Sequence, residues 1–182
     1  MRLCGYKPES VSEGEGLRAA IYISGCRHRC PGCFSEPTWD FEYGEPFTLQ
    51  RQDELITDIC SNPLLDGITL LGGDPFFSAA EVALFVDRLQ AAAQRPLSCW
   101  AYSGFTYEQL SSRPGSPSYE LLRRCDVLVD GRYEEELRDV SLPYCGSSNQ
   151  RIIRVQDSLA EHSVVLWQPS CSWELGWTEE RR

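Results

Sequence analysis

No run of apolar residues in this 182-residue chain approaches the ~20 needed to cross a bilayer. The opening residues, Met1-Arg-Leu-Cys-Gly-Tyr-Lys7, lack the apolar stretch of a secretory signal. The expectation is a cytoplasmic protein. Positive charge is scarce, with 17 Lys and Arg against 27 Asp and Glu and a formal net charge of −10. A chain this acidic repels phosphate backbones, which argues against direct nucleic-acid binding and toward a protein or small-molecule partner. Internal repeats and low-complexity segments are missing. At 42% hydrophobic residues, the length suits one globular domain with a sizeable core.

Cysteine, by contrast, is abundant. Nine cysteines, an odd number without a secretion signal, argue against a disulfide framework and fit metal ligation in a reducing compartment. Three fall in one stretch, Ser24-Gly-Cys26-Arg-His28-Arg-Cys30-Pro-Gly-Cys33, with the spacing C-x3-C-x2-C. Closed structural zinc sites and most ferredoxin clusters take four protein ligands. A loop that supplies three thiolates and stops leaves one metal position open for a substrate or cofactor. The bland alternative is a zinc site completed by His28 or a distant cysteine, and with it a zinc-stabilised interaction module. His28 itself reads as a residue that orders the loop rather than a ligand.

The hydrophobic pattern gives alternating strands and helices. Residues 18–24 read as a buried strand running into the cysteine loop, and 25–47 as loop. Thr48 caps a helix with Leu49, Leu55, Ile56 and Ile59 as its apolar positions. Gly67–Leu71 is the next strand, ending in Gly72-Gly73-Asp74-Pro75. Ser78-Ala-Ala-Glu81 has the capping-box pattern before a helix carrying Val82, Leu84, Phe85, Val86 and Leu89. Leu97–Tyr102 is a third strand, with Trp100 and Tyr102 read as core. Thr106–Gln109 repeats the capping-box pattern, and a short helix over about 119–124 leads to the strand Asp126–Asp130. Residues 151–155 and 163–167 read as later strands. Cys60, Cys99 and Cys125 read as core thiols.

Alternation of this kind predicts right-handed βαβ units and a mostly parallel sheet. A closed eight-fold barrel typically needs ~250 residues, so the expected fold is α/β, an open partial (β/α) barrel. Function then belongs at the carboxyl ends of the strands. The cysteine loop, Gly72-Gly73-Asp74-Pro75, Ser103-Gly104 and Asp130-Gly131 all fall there. For Asp130, strand-end capping and a functional role are both open readings.

The cysteine spacing after a first strand, with Gly-Gly-Asp-Pro after a second, resembles the radical S-adenosylmethionine enzymes. Glu15-Gly-Leu-Arg18, Thr38-Trp39, Val129-Asp-Gly-Arg-Tyr133 and Gly146-Ser-Ser-Asn-Gln-Arg151 extend the match over about residues 5–155. They make the chain similar to the activating proteins of anaerobic (class III) ribonucleoside-triphosphate reductases. Cys145 stands where that family commonly has Arg. The resemblance implies a radical-forming activase domain over 1–155 and a 4Fe–4S cluster held by Cys26, Cys30 and Cys33. The fourth iron would chelate S-adenosylmethionine, whose cleavage yields a 5′-deoxyadenosyl radical that takes a hydrogen atom from a glycine of the reductase. It implies adenosyl contacts from Gly32, Cys33 and Phe34, and methionine contacts from Gly72, Gly73 and Asp74. Ser103 and Asp130 complete the expected cofactor-binding set. The partners implied are the reductase and a flavodoxin-like or ferredoxin-like electron donor. The alternative within the same chemistry is another glycyl-radical enzyme or a small molecule as substrate. Residues 156–182 are expected to form a last strand and a tail rich in tryptophan (Trp167, Trp173, Trp177) that either covers the sheet or docks the partner.

Overall fold

The computed structural model describes residues 1–169. One seven-stranded sheet carries the chain, in the order β3-β1-β2-β4-β5-β6-β7. The strands are β1 (Arg2–Ser10), β2 (Arg18–Ile23), β3 (Glu45–Pro46), β4 (Gly67–Gly72), β5 (Ser98–Tyr102), β6 (Val127–Asp130) and β7 (Arg151–Arg154). The middle four, β2, β4, β5 and β6, pair in parallel and in chain order. The flanks run the other way: β1 pairs antiparallel with β2 and β3, and β7 with β6.

Helices α1 (Leu49–Ser61), α2 (Ala79–Ala92), α3 (Tyr107–Ser111) and α4 (Pro117–Leu122) sit in the parallel crossovers, and α5 (Val155–Glu161) follows β7. Their apolar stripes meet every second strand residue. Leu55 and Ile59 of α1, Phe85 and Leu89 of α2, and Leu121 and Leu122 of α4 join Ile21, Ile68, Leu70, Cys99 and Leu128 in one core. The other strand face carries Arg18, Thr69, Trp100, Tyr102 and Val129 by alternation. No helix covers it. Trp100, Val127 and Val129 are packed there by Tyr144, Cys145, Ile152 and Trp167.

The two capping patterns behave differently. Thr106 and Gln109 form the full capping box of α3. Ser78 caps nothing, because Asp74 has already started a 3₁₀ turn at Pro75–Ser78 by accepting from Phe76 N at 2.9 Å, and α2 continues from it. Glu81 instead pairs with the Met1 ammonium at 2.7 Å. Leu49 and Leu84, expected in the core, are exposed: Leu49 is the first residue of α1, at the helix's open end, and Leu84 lies on the side of α2 opposite Val82, Val86 and Leu89. β1, β3 and α5 are additions to the sequence reading. The expected strand at 163–167 is reduced to a single bridge, Leu166 to Ile153. Trp167 packs edge-on to Trp100 at 5.5 Å. Trp173, Trp177 and Cys171 lie outside the described residues. Among the described residues, no helix is long and apolar enough to cross a membrane.

Candidate active site

The cysteine loop leaves the carboxyl end of β2 and is tied to the turn after β4. Gly73 N donates to Ile23 O at 2.8 Å and Asp74 N to Gly25 O at 3.0 Å. Gly25 N in turn donates to Thr38 O at 2.8 Å, and Cys26 N to Trp39 O at 3.1 Å. This packing explains the second glycine of the pair. A Cβ on Gly73 would stand 2.7 Å from Gly25 O and 2.8 Å from Thr38 O, both backbone atoms that cannot yield cheaply.

Further along, the loop doubles back through left-handed residues at Arg29 (φ 50°) and Gly32 (φ 73°), and Cys33 N closes a turn on Cys30 O at 3.1 Å. Gly32 is met by the Glu135 carboxylate, which occupies the space of a side chain at that position. Arg132 donates to the His28 carbonyl. The segment after β6 therefore grips the loop from the opposite side.

Between these walls lies a cavity of about 500 Å³. Cys26, Cys30 and Cys33 all line it, as do Gly32, Phe34, Gly72, Gly73 and Ser103. Phe34 is fully exposed, so its ring forms part of the rim. Burial pushes the Cys26 thiol up to about 11. The sheet has thus brought residues from the ends of β2, β4 and β5 to one edge.

Asp74 and Asp130 are placed differently from that set. Asp74 is buried behind the wall. Its Oδ2 accepts from Ser103 Oγ at 2.9 Å and Gly104 N at 3.0 Å, and lies 3.0 Å from His28 Nε2. With Oδ1 capping the 3₁₀ turn, both carboxylate oxygens are taken. The His28 ring is held edge-on to Phe105 at 4.5 Å, which fixes the loop from inside. Asp130 is also buried. It accepts from Tyr107 N at 2.7 Å and from Arg151 Nε at 3.0 Å. Arg151 is held further into its charged range by Asp130 and by Glu108, and Glu108 falls to about 2.

Several cavity residues escaped the sequence reading. Tyr102 is one: its strand face is the helix-free one, and counting alternation from Trp100 toward the strand end would have put it at the mouth. Burial raises its phenol further out of the ionised range. Glu135 and Cys145 come from the long connection between β6 and β7, where no periodicity marks them. Tyr133 and Gln150, in the same wall, belong to the Val129–Tyr133 and Gly146–Arg151 motifs, the second of which the resemblance reads as lining the site or facing the partner. Gln150 orders that connection by accepting from Gly146 N at 2.9 Å and donating to Gly131 O at 3.0 Å.

Do these residues suit an iron–sulfur group? Eight cysteines among the described residues are free thiols. The three of the loop line one cavity. Among the described residues, no three His, Cys, Asp or Glu side chains are gathered tightly enough for a single metal ion. Tetrahedral zinc, at Zn–S of about 2.3 Å, needs its sulfurs roughly 4 Å apart. A four-iron cluster is broader and wants its thiolates spread around a larger space. Three thiols on one cavity, with His28 committed to Asp74, are a donor set that suits a cluster held by three thiolates.

A family model described as a 4Fe-4S single cluster domain matches residues 12–153. The chain is 33% identical over 153 residues to the anaerobic ribonucleoside-triphosphate reductase-activating protein of Salmonella typhi, covering 82% of this chain and 96% of that one. The protein of the same name from Vibrio cholerae serotype O1 is 34% identical over 152 residues, covering 82% and 95%. That from Enterobacteria phage T4 is 31% identical over 157 residues, covering 85% and 95%. At this identity over almost the whole length of its relatives, the chain belongs to the family of anaerobic ribonucleoside-triphosphate reductase-activating proteins.

Proposed function

We propose that this chain is the glycyl-radical activating enzyme of an anaerobic ribonucleoside-triphosphate reductase, working in the cytoplasm. Residues 1–155 form its activase domain, and the sheet is the wall of an open, partial (β/α) barrel. Four parallel strands in chain order support that reading, because right-handed crossovers then put every helix on one side. The observation that carries the function is the convergence of three thiols and the Gly72-Gly73 turn on one cavity at the carboxyl edge.

In this reading Cys26, Cys30 and Cys33 hold a 4Fe–4S cluster by three thiolates and leave one iron free for S-adenosylmethionine. A cluster held there would supply one electron to the sulfonium of S-adenosylmethionine, which would part into methionine and a 5′-deoxyadenosyl radical able to take a hydrogen atom from the target glycine. The protein's own work is positional. Gly72 and Gly73 bring backbone close to the methionine end. Gly32, Cys33 and Phe34 border the adenosyl end, beside Glu135. Asp74 acts through its neighbours: it fixes His28 and the Ser103-Gly104 turn, so that the loop and the wall keep their spacing. Asp130 does the same for the β6 end through Arg151 and α3. A lateral opening suits a glycine-bearing loop that enters from another protein. The electron comes from a flavodoxin-like or ferredoxin-like donor, and no nucleic acid takes part.

The deciding experiment is anaerobic reconstitution with iron and sulfide, reduction with dithionite and addition of S-adenosylmethionine. The expected result is a reduced-cluster paramagnetic signal that changes with S-adenosylmethionine, 5′-deoxyadenosine as product, and a glycyl doublet when the reductase is added. Bound zinc with no cluster signal would overturn the reading.

A further inference from the structure

Tyr102 ends β5 on the helix-free face of the sheet, where it packs with Trp100, Val127 and Val129 beside Tyr144 and Cys145. It also lines the cavity, together with Gly131, Cys145, Gly146 and Gln150. In the sheet β5 lies two strands from β2, roughly 10 Å at the usual strand spacing. Tyr102 therefore belongs to the end of the cavity away from the strand that launches the cysteine loop.

The polar groups around it are committed. Gln150 accepts from Gly146 N and Ser147 N through Oε1 and donates to Gly131 O through Nε2. Ser103 Oγ donates to Asp74, and the Tyr133 hydroxyl to Glu135. The Tyr102 hydroxyl makes no hydrogen bond among the described residues. Nor is it sealed: the partnerless side-chain polar atoms shut off from solvent, among the described residues, are Trp39 Nε1 and Asn149 Oδ1. Its opening is the cavity that the residue lines. Burial keeps the phenol protonated, so it offers one neutral O–H donor.

A hydroxyl carried on a sheet strand and left free toward a cavity can recognise what enters. The methionine part of the cofactor, assigned to Gly72 and Gly73, carries charged groups that are better matched by charge or by several backbone partners. A target glycine has no side chain, so its position can be read only through its backbone. A neutral O–H matches a peptide carbonyl, and Gly131 and Gly146 line the same end without a side chain to obstruct an incoming chain.

We propose that Tyr102 positions the protein substrate: its hydroxyl donates a hydrogen bond to a backbone carbonyl of the glycine-bearing segment and so holds the glycine Cα toward the cofactor. This rests on the reading of the cavity as the site of radical formation. Reacting atoms must be held about 3–3.5 Å apart, so a segment that loses this contact leaves more of the cleavage events unproductive.

The test replaces Tyr102 with 4-aminophenylalanine, which keeps a donor at the para position, alongside Tyr102→Phe, which removes only the oxygen. Each reconstituted protein is assayed for iron content, for 5′-deoxyadenosine formed with and without the reductase, and for glycyl radical by electron paramagnetic resonance. The expected result is wild-type iron content, about fivefold fewer glycyl radicals per 5′-deoxyadenosine in Tyr102→Phe, the worth of one neutral hydrogen bond, and recovery with 4-aminophenylalanine. An unchanged ratio in Tyr102→Phe, or one that 4-aminophenylalanine fails to restore, would overturn this inference alone. So would a fall in reductase-free cleavage as large as the fall in glycyl radical, which would put the hydroxyl on the cofactor. Loss of iron from both variants would make Tyr102 structural and overturn it too. Failure of the wild-type protein, with its cluster assembled, to form 5′-deoxyadenosine would overturn the underlying reading and this inference with it.

Discussion

The two ends of the parallel strands bury charge in opposite ways. At the amino end, the Arg18 guanidinium is fully buried among neutral acceptors. It donates to Thr69 Oγ1 at 2.8 Å, Ser98 Oγ at 2.9 Å, Ser98 O at 2.8 Å, Glu15 O at 3.1 Å and Ile68 O. Trp100 lies over it at 5.3 Å. Burial draws its pKa down to about 10, which still leaves it charged at neutral pH. At the carboxyl end, Asp74 is equally buried, but its partners His28, Ser103 and Gly104 line a cavity onto which three thiols also open. One end is a plug that completes itself. The other keeps an open cavity lined by three thiols, and that asymmetry marks the edge proposed to work.

Breaking the working end should have the largest effect. Cys30→Ala is expected to abolish cluster assembly and S-adenosylmethionine cleavage, read as iron content and 5′-deoxyadenosine; retained cleavage would refute the ligand assignment. At the plug, Arg18→Ala strands several buried acceptors and opens a void. The expected loss is about 3–4 kcal/mol of stability, measured by urea unfolding of the cluster-free protein. If instead the loss were under 1 kcal/mol, the idea of a self-completing plug would fail.

Gly73→Ala probes the join between the ends. Its Cβ would collide with Gly25 O and Thr38 O, so a loss of about 1–3 kcal/mol is expected, with faster iron release to a chelator as the loop shifts. Wild-type iron retention would count against the clamp. The smallest effect belongs to Glu108, whose pair with Arg151 is half exposed. Glu108→Gln should cost under about 1 kcal/mol at neutral pH. Because the folded carboxyl is depressed to about 2, its contribution is fully present above the ordinary Glu range and fades as pH falls from about 4.5 toward 2. A difference from wild type that persisted below pH 2 would contradict this sign.

The parallel heart of the fold was legible because its strands are short apolar runs bounded by Gly, Pro and Asp, and because Thr106 and Gln109 carry a cap that the structure uses. β1 was not, since only Leu3 of its nine residues is buried and two register shifts spoil its alternation. Asp74 and Asp130 were legible as residues at the right edge. Their side chains turn into the protein because each faces donors that only the tertiary fold assembles: Ser103 and Gly104 for one, Arg151 and Tyr107 for the other. Glu135 reaches Gly32 across 103 positions of sequence, and no local pattern encodes such a contact.

Chain order and sheet order coincide across β2, β4, β5 and β6. During synthesis each parallel strand therefore finds its partner already made, and none must be threaded between two others. The cysteine loop follows the first of these strands, while the wall that faces it, residues 131–150, is made after the last. The thiols are thus laid down well before the chamber that will shelter them has a far side.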